Sequence, residues 1–105
     1  MVRVGAYKRP SILYRGASSR SMSQRGLERT AGIPFMPSTT DRGVASGYAL
    51  DQVEFEGGTP IVVIFKSVGL KIEKDETFGD SWISQWNVLE DYIPKKNIVA
   101  VERRR

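Results

Sequence analysis

Ile61-Val62-Val63-Ile64-Phe65 is an unbroken apolar run, β-branched at all but its last position, with Gly57-Gly58-Thr59-Pro60 before it and Lys66 after it. β-Branched side chains at this density favour an extended strand, and apolarity that does not alternate requires cover on both faces. A chain built around such a strand must place material on each side of one sheet. At 105 residues it has enough for one small domain, residues 1–105, able to bury roughly 65% of the surface its unfolded form exposes. The 40% hydrophobic content is ordinary for a globular core and argues against disorder.

Other elements read less strongly. Ser11-Ile12-Leu13-Tyr14 predicts a strand that closes in a turn at Arg15-Gly16, with Arg15 at the strand mouth. Between Ser19 and Thr30 apolar positions are sparse, which predicts a thin exposed helix or an ordered loop. Phe35-Met36 begins a short strand stopped by Pro37. Ser38, Thr39, Thr40 and Asp41 are all helix-capping types, and Val44, Ala45, Tyr48 and Ala49 recur at helical spacing, predicting a short helix from about Asp41 to Leu50.

Glu54 to Glu56 then reads as an exposed approach to the Ile61 strand, and Leu70-Lys71-Ile72 as a partner strand following it. Residues 73–85 form an acidic loop around Gly79 that carries Trp82, with Trp86 just beyond; such a loop serves function or acts as a lid, unless its tryptophans fill the core. Val88 to Ile93 predicts a strand stopped by Pro94, and Asn97 to Val101 its neighbour across a tight turn. The expected class is α+β, mainly antiparallel, with one or two short helices.

Histidine and cysteine are both missing from the sequence. Serine triads with histidine, thiol nucleophiles, Cys/His zinc sites and disulfides are excluded, so any catalysis must use carboxylates, lysines or tyrosines. The net charge is +4, and Arg3, Lys8, Arg9, Arg15, Arg20 and Arg25 all precede the first acid, Glu28. A segment of that sign attracts phosphate, whether of a nucleotide, a nucleic acid or a membrane surface. Arg103, Arg104 and Arg105 read as a solvated tail. Neither a signal-like segment nor a bilayer-length apolar run is present, and the expectation is a soluble, cytoplasmic chain.

Three segments carry candidate chemistry: Tyr14-Arg15-Gly16, then Pro37-Ser38-Thr39-Thr40 leading to Ala45 and Tyr48-Ala49, then Glu90-Asp91-Tyr92-Ile93-Pro94. In that order they resemble the arginine, serine-threonine and glutamate motifs of mono-ADP-ribosyltransferases. The resemblance runs from Leu13 to about Val101. It implies split, mainly antiparallel sheets, NAD as substrate and no metal. Nicotinamide would leave, and ADP-ribose would pass to a protein, nucleic acid, small molecule or water. Small transferases of this kind occur as toxins, phage proteins and modifiers.

Breaking the nicotinamide–ribose bond builds positive charge on the anomeric carbon, so such a site needs a nearby negative group. The resemblance gives that role to Glu90, with Ser38 supporting it and Thr39 holding the strand against the cofactor. Arg15 would take the pyrophosphate, for which guanidinium geometry is suited. Gly16 would permit close backbone approach, and Tyr48 would stack on the nicotinamide. Glu54-Phe55-Glu56 has the paired-glutamate spacing of arginine-modifying members, but it follows Ser38 too closely for the intervening strands. Val88 departs from those members, which carry Glu or Gln two residues before the catalytic glutamate, and this disfavours an arginine acceptor.

Each motif also has an ordinary structural reading: a surface turn at Arg15-Gly16, a helix cap at Ser38 to Asp41, a core position for Tyr48 and a solvated edge charge at Glu90. Two other functions remain open, a basic nucleic-acid-binding module and a transferase-like subunit that binds without turnover. Target recognition would fall on the tryptophan loop or on a partner subunit.

Overall fold

The computed structural model describes residues 9–75 and 85–103. Trp82 and the rest of residues 76–84, and the terminal Arg104 and Arg105, lie outside that range. Strand β4, Pro60–Lys66, contains the apolar run and is buried at Ile61, Val62, Val63 and Phe65. Both of its neighbours are antiparallel: β1, Ile12–Ser18, on one side and β8, Ile98–Arg103, on the other. Beyond β1 come β3, Met36–Thr39, then β6, Gln85–Val88, then β5, Ile72–Lys74, giving the order β5-β6-β3-β1-β4-β8. A separate two-stranded ribbon pairs β2, Gly26–Glu28, with β7, Tyr92–Pro94.

The cover that β4 requires comes from two sources. The single α-helix among the described residues, α1, Arg42–Glu56, packs across β1 and β4. Leu27 and Ile93 from the ribbon join Leu13, Met36, Val63, Phe65, Trp86 and Val88 in the main core. The domain is therefore a helix, a six-stranded antiparallel sheet and a small ribbon, an α+β arrangement as expected. Among the described residues no helix is long and apolar enough to cross a membrane.

Several expected boundaries shift. β1 does not turn at Arg15-Gly16 but runs through them to Ser18, so Arg15 lies mid-strand opposite Val63. Gly16 is small for a packing reason: a Cβ there would lie 1.9 Å from the carbonyl oxygen of Ala45 and 2.5 Å from the backbone nitrogen of Ala49. The helix and the strand touch through their backbones. Residues 19–30 hold a 3₁₀ turn, Ser19–Ser21, and strand β2 rather than a helix.

α1 starts where the capping residues predicted it, with Asp41 Oδ1 accepting from Val44 N–H at 2.9 Å. It continues past Leu50 to Glu56, so Glu54-Phe55-Glu56 is its last turn and not an extended approach. Polar residues do not end a helix; Gly57 does, at φ 79°, donating its N–H to Val53 O at 2.7 Å. Pairing also differs from expectation. Leu70-Lys71-Ile72 does not partner β4; Ile72 begins β5 and faces Val88 of β6. Val88 ends β6, residues 89–91 connect it to β7, and the Ile98 strand pairs with β4 rather than β7.

Candidate functional site

The pairing within the sheet is shortest between β1 and β3. These strands pair only at Tyr14 and Thr39, whereas β3 pairs with β6 along its whole length. β3 runs through Pro37 instead of stopping there, but proline carries no N–H to donate, so the ladder to β1 does not continue past it. The Pro37 carbonyl instead accepts from Arg15 Nη1 at 2.8 Å. A side chain links the two strands where their backbone pairing has stopped.

Arg15 is only 4% exposed. Burial pushes its guanidinium down to about 10, opposed by the negative charge of Glu56, so it remains cationic at neutral pH. Its Nε is buried without a hydrogen-bond partner. A buried cation with an unused donor is costly, and it is the strongest local sign of a site shaped for an anion or an acceptor group. Next to it opens a cavity of about 250 Å³ lined by Arg15, Gly16, Ile33, Pro37, Tyr48, Asp51, Gln52 and Gln85.

Of the residues singled out in the sequence, Arg15, Gly16 and Tyr48 border this cavity. Ser38 and Thr39 are fully buried in the adjacent strand, opposite Trp86 and Gln85 respectively. Their hydroxyls are engaged locally, Ser38 Oγ donating to Met36 O at 3.3 Å and Thr39 Oγ1 accepting from Asp41 N–H at 3.0 Å. Glu90 does not reach the cavity. Its Oε2 accepts from Lys71 N–H at 2.8 Å, and its side chain borders a different cavity with Leu70, Tyr92 and Lys96. The cause is local: Glu90 sits in the bend after β6, not at the start of a strand.

Gln85 is the site residue that sequence reading missed, having been assigned to the end of the acidic loop. Its signal was the alternation Gln85-Trp86-Asn87-Val88, which gives one polar and one apolar face. Trp86 and Val88 enter the core while Gln85 turns to the cavity, where its Oε1 accepts from Tyr48 Oη at 3.0 Å. Asp51 was likewise missed because the helix was expected to end one residue earlier.

A larger groove of about 560 Å³ lies at the other end of β1, between Arg9 to Ile12 and Lys66 to Leu70. Its size does not make it the better candidate. Arg9 Nη2 donates to the carbonyls of Ser67 and Leu70 at 2.5 and 2.6 Å, which ties the two segments together. Arg15, on the wall of the smaller cavity, is instead a buried cation whose Nε has no hydrogen-bond partner. The sequence matches no protein-family model and no curated protein.

Proposed function

We propose that the chain binds NAD at the Arg15 cavity and transfers its ADP-ribose to an acceptor or to water, as a small member of the ADP-ribosyltransferase type. The observation that carries this reading is Arg15: a buried guanidinium where the pairing of β1 with β3 is short, its Nε without a hydrogen-bond partner, on the wall of a cavity that Tyr48 also borders. A cavity of this size suits a ring and its sugar, and the remainder of a dinucleotide would lie outside it. Arg15 would hold phosphate or ribose oxygens, and the Tyr48 ring would flank the base. Asp51 is a carboxylate at the cavity wall, and it replaces Glu90 as the first candidate for the charge that steadies an oxocarbenium-like state.

A second reading, binding without turnover, is favoured by one observation. Glu90, the residue matching the catalytic motif, is held by Lys71 N–H away from the cavity. Incubation with NAD and measurement of both binding and nicotinamide release separate the two. Transfer predicts release that falls at least tenfold in Arg15→Ala and Asp51→Asn and is unchanged in Glu90→Ala. Binding without release selects the second reading, and an absence of NAD binding ends both.

A further inference from the structure

The β6 wall of the cavity is an amide held in one orientation. Gln85 Oε1 accepts from Tyr48 Oη at 3.0 Å, and Gln85 Nε2 donates to Asp75 Oδ2 at 3.2 Å. Asp75 is itself tied to the same residue, its backbone N–H donating to Gln85 O at 2.8 Å. An ionised carboxylate only accepts, whereas a phenol can donate or accept. Asp75 therefore decides the orientation: the amide nitrogen must face it, the amide oxygen must face Tyr48, and the Tyr48 hydroxyl must donate.

A primary amide has two N–H donors and an oxygen with two lone pairs. Tyr48 and Asp75 take one of each, so the amide retains one donor and one acceptor of known polarity. A primary carboxamide is the complement of that pair, because it also offers one N–H and one oxygen. A carboxylate in the same place offers acceptors only, and would set its oxygens against Gln85 Oε1 and near the charge of Asp75. Sites whose buried polar groups are left unpaired by the wrong ligand discriminate strongly.

We infer that Gln85, oriented by Asp75 and Tyr48, is the specificity-determining residue that reads the carboxamide of the nicotinamide ring and rejects the corresponding acid. This rests on the nucleotide reading above. It names the part of the ligand that enters the cavity and the group that recognises it. Nothing in it depends on whether the bond is later broken.

Isothermal titration of the full chain with NAD, with its nicotinic acid counterpart and with ADP-ribose tests the assignment. The expected result is NAD bound at least tenfold more tightly than either of the others. Gln85→Met, an unbranched side chain of similar length, should bring NAD and the acid dinucleotide within about threefold, chiefly by weakening NAD. Equal wild-type affinity for NAD and the acid dinucleotide would overturn the inference without any variant, even if Gln85→Met failed to fold. ADP-ribose binding as tightly as NAD would also overturn it while leaving the nucleotide site standing. If none of the three binds, the nucleotide reading itself falls.

Discussion

Arg15 is 4% exposed, and its guanidinium is pushed down to about 10 chiefly by burial, with Glu56 opposing the shift. For a cation, a folded-state value below the unfolded one means that folding penalises the protonated form. The penalty is complete at any pH below about 10 and shrinks only as the pH rises above that value, where the folded chain releases a proton that the unfolded chain keeps. At neutral pH it is on the order of 3 kcal/mol, reduced in part by the bond to Pro37 O. Arg15→Met removes the buried charge while keeping an unbranched side chain, and leaves the Pro37 carbonyl without that donor, a loss of about 1 kcal/mol. The variant should therefore unfold in urea at pH 7 with about 1 to 2 kcal/mol greater stability and should lose nucleotide binding. A lower urea midpoint would mean that Arg15 supports the fold rather than burdening it.

At the scale of elements, the contact between α1 and β1 brings backbone against backbone. Only Ala45 and Ala49 of the helix are buried, and Gly16 faces them. Small residues on both sides let the helix lie close enough for Tyr48 and Asp51, on its next turn, to border the cavity. Gly16→Ala would place a methyl group 1.9 Å from Ala45 O, and no rotamer change can relieve a clash with backbone. The expected cost is about 3 kcal/mol or more, read as a lower urea midpoint, together with weaker NAD binding as the helix moves outward. An unchanged midpoint would show that α1 is not seated by this contact. The helix start was legible because capping is local chemistry, as Asp41 and Val44 demonstrate. Its end was misread because the exposed Asp51 and Glu54 resemble a loop, while the true stop is Gly57. Arg15 stood out in the sequence as a candidate, but its burial was not legible, since burial depends on Pro37 interrupting a ladder with a strand more than 20 residues away.

For the molecule as a whole, the strand that anchors the sheet was readable and its partners were not. β4 pairs with β1 and β8, both distant in sequence, whereas the expectation favoured a neighbour immediately after it. The same bias placed the Ile98 strand beside β7, when β7 instead turns away to form the ribbon with β2 that closes the core. The ribbon is pinned on its outer side by charge. Arg25 Nε and Nη2 donate to Glu28 Oε2 and Oε1 at 2.7 and 2.8 Å, and the Arg25 guanidinium lies 4.0 Å from the centre of the Tyr92 ring on the opposing strand. These bonds, with a further one from Ser23 Oγ, push the Glu28 carboxyl from the usual 4.5 down to about 2. A depressed carboxyl contributes stability that is fully present above its unfolded value and is lost as the pH falls through the folded one, so the window runs from about 4.5 to about 2. The pair is exposed, and its contribution is screened by salt. Glu28→Gln should therefore be less stable than the parent chain at pH 6, with the two urea midpoints converging as the pH approaches 2. Raising the ionic strength to about 1 M should narrow the gap at pH 6. A difference that stays constant from pH 6 to pH 2 would show that the glutamate supports the ribbon through packing rather than through its charge.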